Sequence, residues 1–223
     1  MWATAMKLEI RTIVSAPFEE NSYVVWRPHS AEAVVFDPGL EPAAIFQVLE
    51  EEHLHLVAIL NTHGHADHIA GNAALKTAFP TARLYIGRGD AFMLTDAGAN
   101  LSSGFGFAVV SPEADELLQD GDTVQAAGIV WDVLELPGHT PGHLVYLCRQ
   151  TSPWTLWAGD VLFRGSIGRF DFPGGDGRRL IHGIRTRLFC LPEDTVVYPG
   201  HGPVTTIGHE KRTNPFVGDS AEW

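Results

Sequence analysis

Cysteine, positive charge and long apolar runs are scarce in this chain, and each scarcity removes a class of function. Cys148 and Cys190 are the only two cysteines among 223 residues. Both lie in apolar surroundings and read as buried thiols, and neither has a neighbouring base to make it a nucleophile. The sequence leaves their pairing open, though the reducing compartment inferred from the N-terminus argues against a disulfide. Lysine and arginine number 15 against 27 acidic residues, a formal net charge of −12. Polyanions are held chiefly by cationic side chains, so no nucleic-acid partner is expected. No stretch approaches the roughly 20 apolar residues that cross a bilayer. The N-terminus, Met1-Trp2-Ala3-Thr4-Ala5-Met6-Lys7-Leu8-Glu9, has neither a basic start followed by an apolar core nor a cleavage-site pattern. The expectation is a cytoplasmic protein without a membrane partner. Low-complexity tracts and polar linkers are lacking too. With 45% hydrophobic residues, the chain has material for a substantial core, and its length fits one domain over 1–223. Nothing in the sequence indicates an oligomeric state.

Histidine is what the chain has. Of 11, three fall with an aspartate inside six positions, His63-Gly64-His65-Ala66-Asp67-His68, directly behind the apolar run Leu56-Val57-Ala58-Ile59-Leu60. Imidazole and carboxylate suit zinc and related transition metals, whereas calcium or magnesium sites need only oxygen. His29, His53, His55, His182 and His209 have no patterned setting and read as structural or solvated. His143, four residues after His139, reads as a structural residue that orients ligands from outside the coordination sphere.

The same arrangement, a short strand-like run ending at a glycine-flanked ligand type, occurs four times. Leu56–Leu60 leads to the histidine segment. Trp131–Leu136 leads to Pro137-Gly138-His139, Trp154–Ala158 to Gly159-Asp160, and Thr195–Tyr198 to Pro199-Gly200-His201. If neighbouring strands end on one side of the protein, four loops bring seven ligand types together. His63 and His65 are two apart and belong in a turn; Asp67 and His68 precede a helical composition and face a second direction. Two directions suggest two metals. The fold class is mixed α/β. Strands are expected over 7–14, 22–26, 32–36, 56–60, 82–86, 123–126, 129–136, 143–148, 154–158 and 195–198. Helices are expected near 42–53, 68–79, 88–96, 176–189 and 206–211.

With these residues in order, His-x-His-x-Asp-His and then His, Asp and His, the chain resembles the metallo-β-lactamase superfamily. The resemblance implies a four-layer αβ/βα sandwich, two mixed sheets flanked by helices. It makes His63, His65 and His139 the ligands of one metal, Asp67, His68 and His201 those of a second, and Asp160 the carboxylate shared by both. An aspartate there, with Asn21-Ser22-Tyr23, Phe36-Asp37-Pro38-Gly39, Leu162–Arg169 and Lys211–Phe216, is similar to short bacterial glyoxalase II-like proteins. Full-length glyoxalase II enzymes carry a further helical domain that helps hold glutathione. Only 22 residues follow His201 here, so no separate C-terminal glutathione-binding domain is expected. Nucleases of the superfamily carry an insertion between the Asp and the final His, for which the 40 residues between Asp160 and His201 leave little room.

The resemblance implies two divalent cations, zinc first, though histidine and carboxylate also accept iron and manganese. Cations about 3.5–4 Å apart lower the pKa of a shared water and supply hydroxide as nucleophile, with Asp67 and Asp160 as the catalytic carboxylates. A thiolate, with a conjugate-acid pKa of about 8.5, leaves without the protonation an amide nitrogen needs. The expected substrate is a small thioester, S-2-hydroxyacylglutathione such as S-lactoylglutathione. Arg169 occupies the position where glyoxalase II enzymes place a cation for glutathione; it pairs with a substrate carboxylate or with a surface acid. Three other readings stand beside this one: a persulfide dioxygenase with a single iron, suggested by Gly168-Arg169-Phe170-Asp171; a lactonase or β-lactamase; and a non-enzymatic metal-binding module. Closed structural zinc sites usually have four ligands and favour cysteine, which speaks against the last.

Overall fold

Unbroken apolar runs decide the architecture. The computed structural model describes residues 5–221. In β3 (Glu32–Phe36), Ala33 and Val35 join one buried cluster while Val34 and Phe36 join another. A strand buried on both faces needs a layer on each side. The first sheet runs β1 (Glu9–Ser15), β2 (Glu20–Trp26), β3, β4 (His55–Leu60), β5 (Arg83–Gly87) and β6 (Glu116–Leu118) in sequence order. Its first three strands are antiparallel, and β3 to β6 are parallel.

The second sheet contains β7 (Thr123–Ala126), β8 (Ile129–Glu135), β9 (Leu144–Cys148) and β10 (Thr155–Gly159). After the small hairpin β11 (Leu162–Phe163) and β12 (Ser166–Ile167), it continues with β13 (Val196–Pro199) and β14 (Thr205–Thr206). Only β10 and β13 pair in parallel in this sheet. The two sheets share an inner core in which Phe36 stacks on Trp157, with ring centroids 4.6 Å apart, beside Trp131, Tyr146 and Cys148. On the outer face of the first sheet lie α1 (Pro42–Glu51) and, after α2 (Ala66–Ile69), α3 (Asn72–Ala78), which contribute Ile45, Leu49 and Leu75. Leu180 and Ile181 of α4 (Gly177–Gly183) and Ile207 of α5 (Ile207–Thr213) cover the second. The result is the expected αβ/βα sandwich.

Several local expectations need correction. The helix expected over 68–79 is interrupted at Ala70 and Gly71, because Gly71 donates to the Pro38 carbonyl at 2.7 Å and packs too closely on that loop to admit a side chain. The segment 88–96 is not an α-helix but tighter 3₁₀ turns over Arg88–Leu94, where Gly89 abuts Gly142 and the Asp90 side chain is drawn inward. The helix expected over 176–189 widens into a π-turn at Ile184–Leu188. Strands β6, β11, β12 and β14 are too short to show a period. Cys148 is buried as expected, but Cys190 is exposed: Leu188 and Phe189 take the inward positions and the next residue turns out. Both thiols are free. Among the described residues no helix is long and apolar enough to cross a membrane. Met1 to Thr4 of the N-terminal reading lie outside the described residues.

Candidate metal centre

The histidine segment begins where β4 ends. Asp37, just after β3, accepts from the Thr62 backbone N–H and from the Thr62 hydroxyl, each at 2.7 Å, and its Oδ2 receives His68 Nδ1 at 3.1 Å. His63 and His65 lie in the turn so fixed, while α2 carries Asp67 and His68 off in a second direction. The segments after β8, β10 and β13 deliver His139, Asp160 and His201 to the same edge of the sandwich. Gly159 has a φ of 46°, and a Cβ there would meet the Thr62 side chain. Glycine therefore lets Asp160 turn in beside the first loop.

All seven ligand-type residues meet. His63 Nε2 lies 3.1 Å from His65 Nδ1, which lies 2.9 Å from His139 Nε2. Across the site, Asp67 Oδ2 is 3.5 Å from His201 Nε2 and 3.8 Å from His68 Nε2. Asp160 stands between the two groups. Its Oδ1 is 3.5 Å from His68 Nε2, and its Oδ2 is 3.5 Å from His139 Nε2 and 3.6 Å from His201 Nε2. Three sets of donor atoms each fall within 4.8 Å of one another: His63, His65 and His139; His63, His68 and Asp160; Asp67, His68 and His201.

The residues present fit metal cations. Four rings have their other nitrogen engaged: His63 Nδ1 at 3.1 Å from Thr62 Oγ1, His68 Nδ1 on Asp37, His139 Nδ1 at 2.7 Å from the Arg169 carbonyl, and His201 Nδ1 at 3.1 Å from the Phe18 carbonyl. Those contacts fix the protonated nitrogen, so the Nε2 lone pairs face one another. His68 Nε2 and Asp160 Oδ1 are buried with no hydrogen-bond partner. Converging buried lone pairs are costly unless a cation occupies their focus. Burial lowers His63 and His65 well below the usual imidazole range and keeps them neutral, the form that ligates. Burial also lowers His139, although Asp160 opposes it. At His68 burial acts the same way but is outweighed by Asp67, Asp160 and Asp37, and at His201 by Asp160 and Asp67, so both are raised. Asp67 is held far below the usual carboxylate range by His68 and His201 against its burial. Positive charge is thus disfavoured on the His63, His65 and His139 rings and favoured on the side of Asp67, His68 and His201.

Three residues outside this set fix its geometry. Asp37 anchors His68. Asp90 is buried and joins two ligand loops, accepting from Thr140 Oγ1 at 2.5 Å, Gly142 N at 2.6 Å and Gly64 N at 3.3 Å. His143 is fully buried, stacks on His63 with centroids 4.7 Å apart, and accepts the Asp160 backbone N–H on Nε2 at 3.0 Å. The sequence pointed to His143 in this orienting role but missed Asp37 and Asp90 as site residues. Both stand just after strands, as Phe36-Asp37 and as Gly87-Arg88-Gly89-Asp90, a placement too common in sequence to single them out.

Above the cluster opens a cleft of about 360 Å³. Arg169 lines it but is largely exposed. Its guanidinium binds Asp171 in bidentate fashion, at 2.8 and 2.7 Å, and lies 3.9 Å over the Phe172 ring.

Fold and cluster together define a metallo-hydrolase. The chain belongs to the Metallo-beta-lactamase superfamily, whose family profile matches residues 16–201. It is 37% identical over 216 residues to hydroxyacylglutathione hydrolase GloC of Haemophilus influenzae, covering 94% of this chain and 98% of that protein. It is equally similar, at 37% identity and a TM-score of 0.89, to the crystal structure of BLEG-1 B3 metallo-beta-lactamase, over 94% of this chain and 99% of that one. The crystal structure of TTHA1623 in a di-iron-bound form matches with 37% identity and a TM-score of 0.81, over 92% of this chain and 99% of that one.

Proposed function

We propose that this protein is a dinuclear metallohydrolase that cleaves thioesters of the S-2-hydroxyacylglutathione class, with zinc as its first metal. The observation that carries the reading is Asp160, whose two oxygens stand between a triad of His63, His65 and His139 and a triad of Asp67, His68 and His201. The likeness to a hydroxyacylglutathione hydrolase supports the substrate class, and the di-iron relative supports a pair of metals while leaving iron as the other candidate. Bound there, two divalent cations supply a water of lowered pKa and polarise the scissile carbonyl.

The chain's own residues hold and orient. The hydrogen bonds on the outer ring nitrogens fix the tautomer and orientation of the histidines and keep them in register. Phe172, with its centroid 5.3 Å from His65, and Phe163, 5.9 Å from His201, give the two sides of the site apolar flanks. Asp67 Oδ2, 3.5 Å from His201 Nε2, belongs first to the second donor set, and any proton transfer from the attacking water to it is secondary to that role. Hydrolysis forms a C–O bond and breaks the C–S bond, releasing acid and thiolate. No acid need stand near the leaving sulfur, because a thiolate departs unprotonated.

A second reading, lactam hydrolysis, draws on the likeness to BLEG-1. Persulfide oxidation by a single iron is supported less, because Asp67, His68 and His201 stand together as a second donor set. The test is turnover of S-D-lactoylglutathione by zinc-loaded and iron-loaded protein, with metal-stripped protein and Asp160→Ala as controls and a chromogenic cephalosporin as rival substrate. The expected result is metal-dependent thioester hydrolysis, reduced more than about a hundredfold in the variant. Cephalosporin turnover without thioester turnover would replace this reading by the second.

A further inference from the structure

The walls of the cleft carry information that the metal ligands do not. Phe18, Leu101, Phe105, Phe163, Ile167 and Phe172 line it above the ligands. Phe172 meets His65 and His139, with centroids 5.3 and 6.3 Å away, and Phe163 meets His201 at 5.9 Å, so an aromatic ring flanks each half of the site. Phe105 forms the lip. It meets Phe18 edge to face at 5.0 Å yet is 59% exposed, a large apolar surface held open at the mouth.

Charge is distributed the opposite way. Among the described residues lining the cleft, Arg169 is the one Lys or Arg side chain. Asp171 takes its Nε–Nη2 edge and its face lies on Phe172, which leaves the Nη1 end as its unused side. A carboxylate entering the cleft would meet only the Nη1 end of a guanidinium already paired with Asp171, in a protein whose formal net charge is −12. An apolar group entering it displaces only water.

Resting on the thioesterase reading, we infer that the cleft selects its substrate by an apolar, aromatic acyl group and not by the carboxylates of the thiol carrier. Burying a phenyl ring against these side chains improves binding about tenfold or more over a methyl. The carrier's charged ends stay in solvent at the mouth and contribute little.

The test separates recognition from turnover. Three thioethers that cannot be hydrolysed, S-benzylglutathione, S-methylglutathione and S-benzyl-N-acetylcysteamine, are titrated calorimetrically into the zinc-loaded full chain. S-benzylglutathione is expected to bind at least about tenfold tighter than S-methylglutathione. Removing the carrier carboxylates is expected to change affinity less than about threefold. Phe105→Ala and Phe172→Ala should each narrow the benzyl preference; Phe105 is exposed, so its truncation leaves the fold intact. Equal binding of benzyl and methyl compounds, binding that requires the carrier carboxylates, or no binding by any of the three overturns the inference. The expected ranking in a protein that turns over no thioester supports the cleft assignment while removing the hydrolase reading beneath it.

Discussion

At the scale of single residues the site depends on carboxylates that touch no substrate. Asp37 holds both the Thr62 turn and the His68 ring. Asp37→Ala is expected to lower zinc affinity about 10–100-fold, the usual effect of losing such a partner, read by competition with a chromogenic chelator. Asp90 has a second signature. Burial pushes its carboxyl up to about 6 against the pull of three donors. An acid raised above its unfolded value of about 3.9 takes its proton first in the folded state. Its contribution to stability therefore grows as pH falls from about 6 towards that unfolded value, and shrinks as pH rises through about 6. Asp90→Asn should remove that component and, by setting an amide N–H₂ against backbone donors, cost about 1–3 kcal/mol at neutral pH. Urea denaturation of both proteins between those pH values checks the sign; a variant with an unchanged pH profile would show that Asp90 does not titrate there. The seven ligand-type residues were legible because their chemistry is rare and their spacing regular. Asp37 and Asp90 were not, because an aspartate after a strand is ordinary in sequence and gains its role only when another loop arrives beside it.

At the scale of elements, glycine sets how closely loops approach. Gly168 follows β12, and a Cβ there would collide with the Asp160 carbonyl oxygen. Gly168→Ala must move either the hairpin or Asp160, and a displacement of about 1 Å in a reacting group costs about a hundredfold. The expected outcome is a folded protein by circular dichroism with turnover reduced by that order; unchanged turnover would mean that the hairpin alone gives way. The long strands were readable because most are nearly unbroken runs of β-branched, aromatic or other apolar residues ending at turn residues. The 3₁₀ turns at Arg88–Leu94 and the break at Gly71 were not, since both follow from contacts with distant loops, Gly142 in one case and Pro38 in the other. Local composition favours a helix at both places, and tertiary packing overrides it.

At the scale of the whole molecule, two sheets of different strand order deliver their loops to one edge because a single aromatic core locks them together. Phe36 stacks on Trp157 and meets Trp131 and Tyr146 edge to face, at 5.6 and 5.4 Å. Phe36→Ala should cost about 3–5 kcal/mol by chemical denaturation and lower metal affinity with it, because Asp37 is the next residue. A loss below about 1 kcal/mol would show that the sheets do not depend on this contact. Pairing of the sheets could be expected only through the family resemblance, since strand order is not written in hydropathy. The proposed pair of metals rests on the two donor sets between which the Asp160 oxygens stand. Its most direct test is titration of metal-stripped protein with zinc, counting bound ions while following S-lactoylglutathione hydrolysis. Two equivalents bound, with activity rising until the second is filled, is the predicted result; saturation of binding and activity at one equivalent would contradict it.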